Sequence, residues 1–219
     1  MPGTAGDEND PYESTNRAIF DFNRRLDDNV ALPIARFYHD AVPEPARTGI
    51  HNFLVNLDLP VTFGNDLLQG NVTRGGQTFA RFVTNSTLGL GGLIDMSARF
   101  HIPEHTEDFG QTLGTYGAEE GYYIVLPVLG PAPPRDLLGR IVDVLMDPFT
   151  FVGLRSKTAW MTGRGTVEVL DLRERNIDTI DQIQRTSIDY YATVRNLYRQ
   201  SRDAEIRNNT QMPQDLPDF

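Results

Sequence analysis

An all-α chain of short amphipathic helices, with one apolar hairpin or bent loop and long helices at its C-terminal end, is the fold class the sequence predicts. Three observations predict it. Apolar residues recur at helical spacing along most of the 219 residues. The 14 prolines and 19 glycines fall where they cut that periodicity into short pieces. The one continuous apolar run, "GYYIVLPVLGP" at residues 121–131, has no second strand of comparable quality to pair with, so it must pair with itself or run as irregular chain.

The first helix is predicted from "NDPYESTNRAIFDFNRRLDDNV": Asp10 caps, Pro11 takes the first helical position, and Glu13 closes a box back onto the cap. Ile19, Phe22, Leu26 and Val30 form its stripe, and Pro33 is expected to end it. Pro43, Pro45 and Pro60 then punctuate two further short helices, the first burying Ile50, Phe53, Leu54 and Leu57, the second ended by Gly70. Phe79, Phe82, Val83, Leu90 and Leu93 follow in a stretch whose five glycines between residues 75 and 92 each cost a helix about 1 kcal/mol relative to alanine. Such a glycine content suits a backbone that something approaches closely.

A short helix is expected over 105–117, with Thr106 or Asp108 at its start and Gly114 or Gly117 at its end. After the apolar run, Leu137, Leu138, Ile141, Val144 and Leu145 resume helical spacing. Ile177, Ile180, Ile183, Tyr191, Val194 and Tyr198 form a long final stripe; a helix over residues 173–200 would extend about 42 Å. Residues 10–207 read as one domain, and the polar, proline-containing residues 208–219 as a disordered tail.

Composition narrows the function. No window approaches the roughly 20 uncharged apolar residues of a spanning helix. The net charge of -10 argues against nucleic acid as a partner, since phosphate binding needs cationic surface. That charge is uneven: residues 1–154 carry 10 arginines against 20 carboxylates, residues 155–210 carry 10 Lys and Arg against 8. With no cysteine, neither disulfide nor thiolate chemistry is available. His101 and His105 have i,i+4 spacing, but Pro103 between them spoils the helix that would align two imidazoles on a metal, so no metal or cofactor is expected. Glu107 and Asp108 could serve a hydrolase, yet no G-x-S-x-G, P-loop or dinucleotide fingerprint accompanies them. Against the hydrolase, short amphipathic helices that do not align into a bundle, together with small residues and an apolar loop, suit a membrane interface around a passage for an amphiphile.

Five ordered stretches carry a resemblance: "NDPYESTNRAIFDFN", "HNFLVNLDLPVTFGNDLLQG", "RFVTNSTLGLGGLIDMSARF", "EDFGQTLGTYG" and "GYYIVLPVLGPAPPRDLLGR". Over residues 9–153 the chain resembles the MlaA (VacJ) family, outer-membrane lipoproteins of the pathway that maintains lipid asymmetry. The resemblance implies a ring-like helical protein in the inner leaflet of the outer membrane, on its periplasmic side, beside trimeric porins. A channel through the ring would remove misplaced outer-leaflet phospholipids and pass them to a soluble periplasmic carrier (MlaC-like); the alternative is a porin-binding adaptor without conduction. By the same resemblance Tyr122, Tyr123, Leu126, Pro127, Val128 and Leu129 would form the channel gate, hinged at Gly121, Gly130 and Pro131, with Asn52 and Phe53 holding its resting position. Arg185, Arg195, Arg199 and Arg202 would receive the carrier. Family members are anchored through a lipidated N-terminal cysteine, absent from this sequence, so residues 1–9 are expected to be the flexible start left after a lipoprotein signal is removed.

Overall fold

The computed structural model describes residues 10–151 and 157–207; the expectations for residues 1–9 and 208–219 fall outside these. Among the described residues the chain is helical apart from one two-stranded hairpin, in agreement with the predicted class. Among the described residues no helix is long and apolar enough to cross a membrane.

Helix α1 (Glu13–Leu26) continues through a π turn, Asp27–Ala31, into α2 (Leu32–Ala41), so the stop expected at Pro33 is not taken. Proline cannot donate to the helical ladder. Here the ladder changes register immediately before it, with Leu32 N donating to Asp27 O, and the break is absorbed. Asp10 is also not the cap: Tyr12 occupies that position without a side-chain bond, and Asp10 is drawn into the interior.

The two short helices expected around Pro60 are one, α3 (Glu44–Leu68). An interior proline costs an unsupported helix about 3 kcal/mol. Contacts with α4, α6, α7 and α8 and the burial of Leu54, Leu57 and Leu59 offset that cost. Gly70, at φ +76°, ends α3 as predicted. Helix α4 (Val72–Thr87) is capped by Asn71, whose side chain accepts from Arg74 N at 3.2 Å. Gly89, Gly91 and Gly92 lie beyond its end, and the close approach expected of this stretch is made by α3: a Cβ on Gly92 would lie 2.6 Å from that of Asn56.

After the short α5 (Met96–Arg99), Asp108 caps α6 (Phe109–Thr115) by accepting from Gln111 N at 2.7 Å, as expected. Helix α6 packs on α7 (Pro134–Met146) through two glycines, a Cβ on Gly139 falling 2.4 Å from Gly110 N. The predicted 42 Å helix is instead the end of α8 (Lys157–Arg175), then α9 (Ile177–Thr186) and α10 (Tyr190–Ile206). It breaks at Asn176 and at residues 187–189, where Asp189 caps α10 by accepting from Ala192 N at 3.1 Å. Capping by Asp189 supplies α10 with its own start, which a continuous helix could not use.

The helix contacts close on themselves. They run from α1 and the π turn to α2, then α8, α3, α6 and α10. Phe20 on α1 closes the circuit against Tyr191 on α10, ring centroids 5.5 Å apart, and Arg17 pairs with Asp189 at 2.6 Å. This circuit matches the ring-like arrangement expected.

Candidate functional site

Residues 121–131 form the predicted hairpin. Strand β1 (Val125–Leu126) pairs antiparallel with β2 (Gly130–Pro131), Val125 opposite Pro131 and Leu126 opposite Gly130. Gly121 and Gly130, the expected hinges, hold positive φ, which glycine adopts without strain. Val128 at the tip also lies at φ +69°, a conformation costing a β-branched residue about 1–3 kcal/mol.

Two asparagines of α1, seven residues and so two turns apart on one face, hold this hairpin. Asn16 donates to Tyr123 O at 2.9 Å and accepts from Val125 N at 3.0 Å. Asn23 donates to Leu126 O at 2.9 Å and accepts from Val128 N at 2.8 Å, fixing the strained tip. Each amide thus pairs with the hairpin backbone as a neighbouring strand would. Arg140 holds the return strand by donating to Pro131 O at 3.0 Å. Neither asparagine was picked out from the sequence; their i,i+7 spacing on an otherwise amphipathic helix was the available signal.

The residues expected at a gate divide by position. Tyr122, Pro127, Val128 and Leu129 are exposed, Val128 by 72%, and Leu126 is half-buried. Tyr123, expected at the gate surface, is fully buried. It packs against Tyr191 and Tyr198 with ring centroids 6.2 Å away in each case, since alternation along the strand turns every second side chain inward. Burial, reinforced by Asp10, pushes its phenol well above the usual range and keeps it neutral.

Two of the four arginines expected to face a partner face the interior instead. Arg195 donates to Asp10 at 2.8 Å, and Asp10 also accepts from Tyr191 OH. Arg202 grips Asp108 with two bonds, 2.6 and 3.0 Å, and reaches Asp136 at 3.1 Å. Burial raises both carboxylates, but Arg202 outweighs it and holds them below their usual range. Arg199 pairs with Glu120 at 2.9 Å, and Arg185 stands exposed beside Asp181. Ion pairing with inward carboxylates is the reason this helix face is not a free basic patch.

The other candidates also resolve into internal contacts. His105 meets Asp66 at 3.0 Å and Thr78 at 3.1 Å, whereas His101 lies exposed. Glu107 pairs with Arg74 at 2.7 Å. Asn52 donates to Leu93 O in the loop after α4, while the hairpin's own bonds run to Asn16, Asn23 and Arg140. Phe53, beside it, is half-buried.

Around these groups the usual polarity of a globular protein is reversed. Helix α4 buries Gly75, Thr78, Arg81 and Asn85 and exposes Phe79 (54%) and Val83. Helix α7 buries Arg135, Asp136 and Gly139 and exposes Leu138, Ile141 (55%), Val144 and Leu145. Phe22, Val30, Ile34 and Phe37 face outward from α1, the π turn and α2. Among the described residues 19 polar or charged residues are buried against 10 hydrophobic ones, so the interior is held by ion pairs and amide bonds while these helices expose apolar faces. Large apolar residues exposed along one face of several helices mark a partner or a membrane.

A family model described as MlaA lipoprotein matches residues 8–205. The chain is 34% identical to "Intermembrane phospholipid transport system lipoprotein MlaA" of Haemophilus influenzae over 97% of this chain and 86% of that protein. It is 36% identical to the protein of that description from Escherichia coli over 95% and 82%. A solved structure described as "Structural basis for maintenance of bacterial outer membrane lipid asymmetry" superposes with a TM-score of 0.80 at 38% identity, over 90% of this chain and 98% of that one.

Proposed function

The chain belongs to the MlaA lipoprotein family, and from that membership we propose that it is a non-enzymatic phospholipid conduit of the outer membrane. It takes phospholipid misplaced in the outer leaflet and hands it to a soluble periplasmic carrier, so preserving lipid asymmetry. The observation that carries this reading is the reversed polarity: apolar faces of α1, α2, α4 and α7 turned outward to acyl chains, and a polar interior able to accept a headgroup. Moving a charged phosphate through hydrocarbon costs several kcal/mol, and a path past buried arginines and amides lowers that cost. No bond is made or broken in such a transfer.

In this reading Tyr122, Leu126, Pro127, Val128 and Leu129 touch the moving lipid, Gly121, Gly130 and Pro131 let the hairpin bend, and Tyr123 anchors it from within. Asn52 and Phe53 support the resting state through the loop at Leu93, with which Asn52 is bonded. A trimeric porin accommodates part of the outer apolar belt, a lipid anchor of the kind the family carries, at a cysteine outside this sequence, holds the protein at the inner leaflet, and exposed Arg185 is left to meet the carrier.

The test is outer-leaflet phosphatidylethanolamine, read with a membrane-impermeant amine label in cells lacking their own relative of this protein. Expression of the chain should restore low labelling, and Leu126→Asp or Val128→Asp should leave it high while the protein still folds. Full clearing by either variant would refute the assignment of the hairpin, and no clearing by the unmodified chain would refute the conduit.

A further inference from the structure

Beneath the hairpin tip lies a cleft of about 270 Å³ between α1, the hairpin, α9 and α10. Its walls are apolar, with Phe20, Val128, Leu129, Ile180 and Val194 among them. One edge is different. Arg24 and Asp28, four residues apart at the end of α1 and the start of the π turn, bring one cation and one carboxylate to the rim. Asp27, between them in sequence, is taken by Arg173 in two bonds of 2.7 and 3.0 Å. Arg24 is part-exposed and meets Asp21 at 3.2 Å on the surface, and exposed Asp28 has no ion pair among the described residues.

We infer that this cleft binds one zwitterionic, amine-bearing phospholipid, its acyl chain under Val128 and Leu129 and its headgroup across Arg24 and Asp28. The inference rests on the conduit reading and adds to it a place and a headgroup preference. The volume lies just below the range of about 300–1,000 Å³ that whole-ligand pockets span, enough for part of one acyl chain and too small for two. Cβ atoms four residues apart on a helix face stand about 5–6 Å apart, close enough for one headgroup to span Arg24 and Asp28. A phosphate on Arg24 and an ammonium on Asp28 therefore match a headgroup whose two charges are joined by two carbons. A phosphatidylglycerol headgroup would satisfy Arg24 and leave Asp28 facing no cation. The lid is the segment that Asn23 fixes through Leu126 O and Val128 N, so release of one amide side chain uncovers the cleft.

Native mass spectrometry of the detergent-solubilised chain, loaded in turn with dioleoyl phosphatidylethanolamine, dioleoyl phosphatidylglycerol and dioleoylglycerol, tests this. Phosphatidylethanolamine should be retained best. Asp28→Asn should lower its retention about fivefold without lowering that of phosphatidylglycerol, and Arg24→Gln should lower both phospholipids and spare dioleoylglycerol. Ile180→Trp, which fills the cleft, should lower all three; Leu129→Asp, at an exposed position that leaves folding intact, should do the same. Retention that is indifferent to these four substitutions would overturn the cleft and leave the conduit standing. A chain that retains no lipid would overturn both.

Discussion

Tyr123 shows how much of this protein depends on single side chains placed inside it. Its ring packs between Tyr191 and Tyr198, yet its hydroxyl is buried without a hydrogen-bond partner. Removing an unpaired buried hydroxyl is close to neutral, whereas removing the ring opens a cavity. Tyr123→Phe should therefore leave the thermal midpoint in detergent unchanged or slightly higher, and Tyr123→Ala should lower stability by about 3–5 kcal/mol. Asp143 offers a pH-dependent counterpart. Burial, with Asp108 nearby, raises its carboxyl to about 6, bonds from Asn65 and Phe109 N offsetting this only in part. A raised carboxylate favours the fold while protonated, so its contribution is fully present below about pH 4 and is lost as pH rises through 6. Both donors reach Oδ1, which an asparagine also presents, and only the longer 3.2 Å contact of Phe109 N with Oδ2 has no acceptor in the variant. Asp143→Asn should then gain about 1–2 kcal/mol at pH 8, after allowance for its partial exposure, and nothing at pH 4. Melting curves of both proteins across that range check the sign.

Among the elements, the hairpin and α1 work as a pair in which Asn16 is the fixed end and Asn23 the releasable one. Asn16 is buried and also donates to Asp10 at 2.8 Å, so its loss leaves several interior groups unmatched. Asn23 is part-exposed, and water can replace its bonds. Asn23→Ala should speed amide exchange at residues 126–130 by about tenfold and lower global stability by less than about 1.5 kcal/mol. Asn16→Ala should cost about 3 kcal/mol or more by melting. Hydrogen exchange that rises equally across the whole chain in Asn23→Ala would show that the tip does not open separately. The packing of α6 on α7 is less forgiving. Any side chain at Gly139 meets the Gly110 backbone, so Gly139→Leu should disrupt the Asp108, Asp136 and Arg202 cluster beside it and lower the melting temperature sharply.

For the molecule as a whole, the outward apolar belt and the inward ion pairs predict that stability and membrane affinity can be separated. Ile141→Glu with Val144→Glu changes two outward residues of α7 and no internal contact among the ion pairs. Each charge at an apolar membrane surface costs about 2–3 kcal/mol. The double variant should remain with the soluble fraction in a liposome flotation assay that lifts the unmodified chain, while its melting temperature in detergent stays within about 3 °C. Co-flotation of both proteins would place α7 away from lipid.

Much of this architecture was legible in the sequence because its signals are local. The caps at Asp108 and the stop at Gly70, the 3.6-residue stripes of α1 and α7, and a self-paired hairpin at residues 121–131 follow from neighbouring residues alone, and five ordered motifs identified the family. What local signals cannot carry was decided by tertiary structure. A stripe's period locates an apolar face but does not say whether that face turns to a core or to lipid, so Ile141 and Phe79 emerged outside. Prolines 33 and 60 read as breaks until a register change and surrounding helices absorbed them. The interior itself is built by partners such as Arg195 with Asp10 and Asn16 with Val125, more than a hundred residues apart, which meet only when the circuit of helices closes.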